Sequence, residues 1–372
     1  MDIVQATRDY EAWLAARLTL VPEDLKLKHQ HMAEAAFSFL RATFYRWIQT
    51  WPVACPDLAA APTVLAVGDL HIENFGTWRD AEGRLIWGLN DFDEVYPMPY
   101  AIDLVRLATS VCLAIEEDHL TLLPEDACKA IIRGYQEALS DGGRPFVLAE
   151  RYPVLRKWAT DRLKNPGEFW EKINSQPDLA GEAVPQEVHD VLRRYLPEPG
   201  LSYRVVHRIA GLGSLGRQRF VALAQWRGGS IAREAKALLP SAWTWQQAQS
   251  CGEIFYEKAL TTAVRMVDPW VHLTGRWIVR RLSPDCRRIE LESLPKDRNE
   301  LKLLTAMGRE TANIHLGSGA AAKTAIGGDL EKRDRKWLRK AALAMVASVR
   351  DDWRQWRKEG VTDEGGRMKD QR

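Results

Sequence analysis

The chain has 372 residues and a formal net charge of +2, with 46% hydrophobic and 27% charged residues. This composition is typical of a globular protein, and the length exceeds the roughly 250–300 residues of one hydrophobic core, so we expect two lobes. The small net charge argues against a nucleic-acid partner, and no apolar run reaches the roughly 18–20 residues of a membrane span.

The expected compartment is the cytoplasm. The five cysteines never form a Cys-x-x-Cys pair, which is typical of free thiols in a reducing environment. The first residues also lack the basic and then apolar order of a signal peptide. We therefore expect a cytoplasmic protein with no membrane partner.

Two helices are predicted first, over residues 5–20 and 24–50. In the second, apolar residues recur at helical spacing and make a buried face. Lys28 and Arg41 lie near that face. Either both are cations whose stems follow the apolar surface while their charges reach water, or one of them faces an acidic cleft.

Two acidic clusters follow, over residues 68–76 and 90–94, and each comes directly after a short apolar run. We interpret the region as strand, loop and strand, which would deliver both clusters to one end of a small sheet. Asp69, Asn74 and Asp91 would then lie close together. Such oxygen-bearing side chains suit Mg²⁺, which usually takes one or two carboxylates together with substrate phosphates.

Further helices are predicted from apolar periodicity along the rest of the chain. They are expected over residues 101–114, 125–140, 186–195, 298–316 and 329–358. A β-rich segment separates the third of these helices from the fourth. The pattern therefore predicts a mixed α+β protein.

A glycine-rich loop lies in the β-rich segment. Gly211, Gly213 and Gly216 match G-x-G-x-x-G, a pattern that also opens dinucleotide-binding helices. Here a strand is predicted next, over residues 219–226, and strand–glycine loop–strand is the arrangement that covers nucleotide phosphates in protein kinases. Such a site needs a lysine on a third strand, and Lys236 has that position. A plain glycine-rich hairpin with a surface lysine is the alternative.

The lysine of such a site is held by a glutamate from the following helix. The sequence predicts that helix over residues 243–266, and Glu253 and Glu257 would share one of its faces because they are one turn apart. The choice between them is open. A second hairpin is predicted from residues 277–282 and 288–291.

Together these residues resemble the catalytic and metal-binding loops of the aminoglycoside phosphotransferase-like kinases. Over most of its length the chain is also similar to DUF2252, a bacterial family related to that superfamily. The similarity is carried by residues 37–41, 68–76, 91–94, 103–106, 211–216 and 308–315. The Asp-x-x-x-x-Asn spacing with a downstream Asp-Phe-Asp is the most specific part of the resemblance.

The resemblance implies roles in the acidic clusters. Asp69 looks like the catalytic aspartate, which accepts the proton of the attacked hydroxyl, and His71 matches a histidine that orders the backbone of this loop. Asn74 and Asp91 look like Mg²⁺ ligands. Asp93 stands where protein kinases have glycine, so it is either a further metal ligand or a solvated acid.

The resemblance also implies a nucleotide site. The loop with Gly211, Gly213, Ser214 and Gly216 looks like the lid over the ATP phosphates, and Lys236 looks like the lysine that pairs with them. Either Glu253 or Glu257 would hold this lysine. Asp103 resembles the buried aspartate at a helix start that braces the catalytic loop, while His315 is expected to be a packing or capping residue.

The order of the motifs is not that of an ordinary kinase, because the glycine loop and the lysine follow the aspartates. The resemblance therefore implies a two-lobe, protein-kinase-like fold that is circularly permuted. Residues 1–198 would form a larger, mainly helical lobe, and residues 199–297 a small β-rich nucleotide-binding lobe. Residues 298–372 would return to the larger lobe, with the helix 298–316 beneath the catalytic loop.

The function implied is ATP- and Mg²⁺-dependent phosphotransfer to a hydroxyl acceptor, with a small molecule as one candidate. A nucleotide-binding regulator without turnover and an AMP transferase remain alternatives. A metallophosphoesterase is disfavoured because its two-metal site needs several histidines, and none of the eight histidines pairs closely with another near Asp91. The sequence predicts neither the acceptor nor the oligomeric state.

Overall fold

The structure is a computed structural model, and it describes residues 1–160, 165–249, 252–286 and 299–360. Helices dominate both ends of the chain. In chain order they are α1 (Ile3–Ala15), α2 (Pro22–Glu34), α3 (Ala36–Ala42), α4 (Phe44–Ala54), α5 (Pro56–Ala59), α6 (Ala101–Glu116), α7 (Pro124–Asp141), α8 (Pro153–Thr160), α9 (Pro166–Asn174), α10 (Gln186–Arg194), α11 (Ala242–Gln246), α12 (Tyr256–Thr262), α13 (Glu300–Leu316), α14 (Ala320–Lys332) and α15 (Trp337–Gln355).

The strands of the described residues form three antiparallel sheets. They are β1 (Thr63–Ala66), β2 (Phe75–Arg79), β3 (Leu85–Leu89), β4 (Tyr96–Pro99), β5 (Phe146–Val147), β6 (Arg204–His207), β7 (Arg219–Trp226), β8 (Gly229–Ala237), β9 (Val271–Thr274) and β10 (Trp277–Leu282). β1 pairs with β4, and β2, β3 and β5 form a second sheet. The third sheet has the order β6-β7-β8-β10-β9.

The mixed α/β composition predicted from the sequence is confirmed, but the strand pairing around the acidic clusters differs from the prediction. β2 and β3 form the hairpin, with Phe75 opposite Leu89, whereas β1 lies in a separate sheet with β4. Gly68 adopts a φ of +82° and the short 3₁₀ turn Ile72–Asn74 follows, so the chain changes direction between β1 and β2. The single sheet expected for this region is therefore wrong.

The helical core is built around α6. Every residue from Ala101 to Ala114 is buried, as is typical of a helix that is surrounded on all sides. α7 and α15 pack against it, and α13 crosses α7 closely. At that crossing, a Cβ on Gly308 would lie 2.0 Å from the carbonyl oxygen of Ile131. Helices from distant parts of the chain thus share one core.

The five-stranded sheet carries the glycine loop between β6 and β7, and Lys236 on β8. Lys236 lies opposite Arg219 on one side and Ile278 on the other, which places these side chains on one face. α9 and α10 also contact this sheet, with Phe169 and Trp170 of α9 against its apolar cluster.

Two predicted elements of this region differ from the structure. The single helix expected over residues 243–266 is wrong, because α11 and α12 are separate and Ala248 has a φ of +52° that a right-handed helix cannot continue. Residues 288–291, the expected partner of the 277–282 strand, lie outside the described residues. β10 instead pairs with β8 and β9.

Two further features complete the fold. The helix expected over residues 329–358 is divided, with α14 ending at Lys332 and α15 starting at Trp337. Within the described ranges, none of the helices is both long and apolar enough to cross a bilayer.

Candidate functional site

The predicted catalytic and metal-binding residues meet at one small cavity of about 40 Å³, which we call the acidic cavity. The glycine loop closes it from the opposite side. The residues that border it from the two predicted sites are Asp69, His71, Asn74, Asp91, Asp93, Gly211, Gly213 and Ser214. Segments more than 100 residues apart in sequence therefore converge at this place.

Asp69 is held by a buried arginine. Arg106 donates from both Nε (3.0 Å) and Nη2 to Oδ1 of Asp69, and its Nη2 also donates to the carbonyl oxygen of Leu40 at 2.8 Å. The other carboxylate oxygen faces the glycine loop, since a Cβ on Gly213 would lie 3.2 Å from Oδ2. Burial raises the pKa of Asp69, although Arg106 opposes the shift. Arg106 therefore orients the carboxylate and leaves one oxygen toward the loop.

The backbone that precedes Asp69 is braced from below. The carboxylate of Asp103 accepts hydrogen bonds from the N–H groups of Val67 (2.7 Å) and Gly68 (2.8 Å), and it lies 2.9 Å from Nε2 of His315. The hydroxyl of Tyr135 contacts Nδ1 of the same histidine at 2.7 Å. All three side chains are buried, so α13 supports the loop as a packing element.

His71 and Asn74 order the turn that follows Asp69. Nδ1 of His71 accepts the N–H of Glu73 at 3.2 Å, and Oδ1 of Asn74 accepts the N–H of His71 at the same distance. The two side chains thus cap the 3₁₀ turn reciprocally. His71 therefore stabilises the backbone of this turn.

Lys236 pairs with the aspartates of the second acidic cluster. Its Nζ forms an ion pair with Asp93 and lies 3.9 Å from Asp91. Burial lowers the pKa of Lys236, and the two aspartates counteract that effect. Glu253 and Glu257 both have exposed side chains. The expectation that one of them holds Lys236 is therefore wrong. The physical reason is the break between α11 and α12, which removes the shared helical face.

A second arginine, which was not predicted, contacts the last two residues of the second acidic cluster. Arg217 lies 3.7 Å from Asp93 and 3.3 Å from Glu94, and it donates to the hydroxyl of Tyr10 at 3.2 Å. The other oxygen of Glu94 accepts the N–H of Ala242 at 2.6 Å. Burial raises the pKa of Glu94 to about 7 against the opposing charge of Arg217.

Lys28 and Arg41, the two cations near the apolar face predicted for residues 24–50, both lie close to the glycine loop or the acidic cavity. Lys28 is buried and donates to the carbonyl oxygen of Gly213 at 3.3 Å, while Arg41 borders the acidic cavity and pairs with Glu73 at 2.7 Å. Gly216 lies at the end of the glycine loop, where its φ of +94° and a Cβ position 2.4 Å from the side chain of Leu25 exclude larger residues.

The residues of the acidic cavity fit a magnesium ion in their chemistry. Among the described residues there is no group of three or more histidine, cysteine or acidic side chains arranged to hold a metal. Asp91, Asp93 and the amide of Asn74 instead form a set of two carboxylates and one neutral oxygen donor. Within the described part of the chain, Oδ1 of Asp93 is buried without a hydrogen-bond partner. Such a set suits Mg²⁺ completed by substrate oxygens.

A larger cavity of about 330 Å³ adjoins the acidic cavity, and Arg41 and Gly211 border both. Six arginines line it, so we call it the arginine cavity. They are Arg41, Arg208, Arg219, Arg265, Arg280 and Arg281. The sequence did not predict this cluster because its members come from five separate segments, although Arg41 was considered as a cation that faces a cleft.

Comparisons with known proteins identify the family. A search of curated proteins and a search of solved structures found no significant match. The sequence profile of a family described as "Uncharacterized protein conserved in bacteria (DUF2252)" matches residues 18–168 and 202–359. These ranges contain both acidic clusters, the glycine loop and strand β8, which carries Lys236. The chain belongs to the bacterial family DUF2252.

Proposed function

We propose that this protein is an ATP- and Mg²⁺-dependent phosphotransferase that acts on a hydroxyl acceptor. The fold we propose is two-lobed, protein-kinase-like and circularly permuted, with a relationship to the aminoglycoside phosphotransferase-like kinases. The observation that carries the proposal is that both acidic clusters and the glycine loop border one cavity, with Lys236 paired to two of its aspartates. The glycine loop approaches Asp69 at Gly213, and Lys236 reaches Asp91 and Asp93 from the third strand of its segment.

Each motif has a task in this proposal. Asn74, Asp91 and Asp93 would hold Mg²⁺. The ion would neutralise part of the phosphate charge. Lys236 would bind phosphate oxygens with its ammonium group. Oδ2 of Asp69 would accept the proton of the acceptor hydroxyl, because Arg106 occupies only Oδ1. Catalysis of this kind depends mainly on positioning and on charge stabilisation.

Substrate binding would require the glycine loop to move. The acidic cavity of about 40 Å³ is far smaller than the roughly 300–1,000 Å³ of typical ligand pockets. Lys28 holds the carbonyl of Gly213, and Lys236 is engaged by Asp93. We propose that the phosphates of a nucleotide replace Asp93 as the partner of Lys236 while the loop lifts from Asp69.

The pairing of Lys236 with Asp93 also favours a second candidate. A nucleotide-binding regulator that lacks turnover would use the same residues, and its closed state would be stabilised by this ion pair. Transfer of AMP instead of phosphate is a third possibility. The products distinguish the candidates, because phosphotransfer releases ADP, AMP transfer releases pyrophosphate, and a regulator releases neither.

The first test is calorimetric titration of the purified protein with ATP, with and without MgCl₂. We expect magnesium-dependent binding that is lost or reduced at least about tenfold in Asp91→Ala and in Lys236→Ala, because each removes a charge at the phosphate site. The matched controls are Asp351→Ala and Lys340→Ala, which each remove a charge on a side chain that is 75% and 69% exposed, respectively. Thermal unfolding of each variant reports whether it is folded.

Absence of ATP binding by folded wild-type protein, at any magnesium concentration, would contradict the proposal. So would equal weakening in the site variants and in the exposed controls. If ATP binds, an acceptor screen should then follow ADP and pyrophosphate release. Asp69→Asn is expected to keep nucleotide binding and to lose transfer, since the amide cannot accept the hydroxyl proton.

A further inference from the structure

The arginine cavity has an unusual charge for an enclosed space. Its six arginines face only two acidic side chains in the described wall, Glu73 and Asp268, with Glu234 buried beneath. Six guanidinium groups against three carboxylates leave an excess of three positive charges among these described residues. Concentrated positive charge in a cleft with low-dielectric walls attracts anions.

Three of the arginines are fixed in place by one glutamate. Glu234 on β8 is fully buried and receives Arg208 (2.5 Å) and Arg219 (3.1 Å) on Oε1, and Arg280 (2.5 Å) on Oε2. Burial alone would raise the pKa of Glu234, yet the three arginines hold it well below its usual range. One carboxylate thus organises three guanidinium groups without neutralising them.

A fourth arginine has donors that remain unused within the described part of the chain. Arg265 donates from Nη2 to the carbonyl oxygen of Leu89 at 2.8 Å, but its Nε and Nη1 are buried without a hydrogen-bond partner there. Nε of Arg281 is likewise buried without a hydrogen-bond partner among the described residues. An unsatisfied buried donor is costly, and more so when it is charged, so these N–H groups are suited to a ligand that brings its own acceptors.

The cavity also offers flat apolar surface. Arg265 lies between the rings of Trp78 and Phe92, at 4.8 Å from each ring centre, and the rings of Phe169 and Tyr256 border the same space. The stacked rings limit the movement of the guanidinium group. A volume of about 330 Å³ admits an organic molecule of moderate size as well as a simple ion.

From these observations we infer that the arginine cavity binds a small organic ligand that carries at least two anionic groups, such as phosphates or carboxylates. Because Arg41 and Gly211 border both cavities, the ligand would bind next to the acidic cavity. This inference goes beyond the proposed function, since the site would exist even if no phosphate were transferred. Two sources share the required chemistry, namely the phosphate chain of a nucleotide and an acceptor that is itself anionic.

The test uses the full chain and three defined probes without magnesium, namely tripolyphosphate, ATP and citrate. We expect wild-type protein to bind at least one of them, and Arg265→Gln and Arg281→Gln each to weaken that binding about tenfold, as for loss of a charged hydrogen bond. Arg227→Gln is the matched control, because this arginine is 74% exposed in the β7–β8 turn. Thermal unfolding identifies any variant that fails to fold.

Competition separates the two sources. Displacement of bound citrate by saturating Mg²⁺-ATP assigns the cavity to the nucleotide, whereas binding of citrate beside saturating Mg²⁺-ATP assigns it to an anionic acceptor. Asp91→Ala is expected to keep magnesium-free anion binding, which separates this inference from the proposed function. The inference is overturned if folded wild-type protein binds none of the probes, or if Arg227→Gln weakens binding as much as the two cavity variants.

Discussion

Buried charges are the main feature of this protein at the scale of single residues. Asp69 with Arg106, Asp93 with Lys236, and Glu234 with its three arginines all place ions out of water. Ion pairs of this kind contribute little net stability, but removal of one partner is strongly destabilising because it leaves an unpaired buried charge. Their presence in one region is typical of sites where the protein positions charge for a ligand.

Glu310 is a buried acid without an ion-pair partner among the described residues, and it should make stability depend on pH. It accepts the N–H of Leu89 at 3.2 Å and the amide of Asn313 at 2.9 Å, and burial raises its pKa to about 7. A carboxyl group with a raised pKa stabilises the fold fully below its unfolded pKa of roughly 4.3. This contribution is lost as the pH rises to about 7.

We therefore expect urea unfolding of wild-type protein to show a loss of stability between pH 4.5 and pH 7 that is smaller in Glu310→Gln. The difference should be on the order of 3 kcal/mol, the free energy of a shift of this size. Glu137→Gln, with a side chain 47% exposed, is the matched control and should keep the wild-type slope. The same slope in wild type and Glu310→Gln would mean that Glu310 ionises normally in the folded state.

At the scale of elements, α7 and α13 cross with their backbones in close contact. A Cβ on Gly134 would lie 2.0 Å from the carbonyl oxygen of Thr305, and one on Gly308 equally close to that of Ile131. The two glycines therefore let the helix backbones touch. This contact positions α13 against α7. The last turn of α13 then brings His315 next to Asp103.

Gly308→Ala should destabilise the protein although alanine favours helices. The added methyl group must push the two helices apart, and overpacking of this kind costs about 1–3 kcal/mol. Gly327→Ala on α14 is the matched control, since nothing lies within 4 Å of its Cβ position. It should gain about 0.5–1 kcal/mol from helix propensity. Urea midpoints measure both changes. If Gly308→Ala stabilised the protein as much as Gly327→Ala, the packing argument would be refuted.

At the scale of the whole molecule, helices near the start of the chain pack against the last described helix. Arg46 of α4 makes a two-point ion pair with Asp352 of α15, at 2.8 and 2.9 Å. Near the same helix end, the indole N–H groups of Trp353 and Trp356 donate to backbone carbonyls of α2. The five-stranded sheet therefore lies in sequence between two parts of the same helical core.

A chain that stops at residue 286 should not fold, because α6 and α7 would lose α13 and α15, against which they bury their faces. We expect no cooperative unfolding transition and a weak near-ultraviolet circular dichroism signal. Co-expression with a separate fragment of residues 287–372 should restore both, and this complementation is the positive control. Cooperative unfolding of the shortened chain by itself would show that the C-terminal helices are not part of the core.

Local pattern in the sequence determined much of this protein. Helices expected over residues 125–140 and 298–316 are present as α7 and α13, within two residues at each end. The acidic clusters, the glycine loop and Lys236 were also recognisable, because each depends on a few neighbouring residues. Spacing along one element reports its own conformation, since periodicity and glycine positions act over short distances.

The partners of those residues were decided only by the tertiary structure. Lys236 meets Asp93 and not Glu253, β1 pairs with β4 and not with the hairpin, and the arginine cavity collects residues from five segments. These contacts depend on how elements pack and on which charges are taken out of water together. Both are properties of the assembled chain, because desolvation and long-range pairing have no signature in a short stretch of sequence.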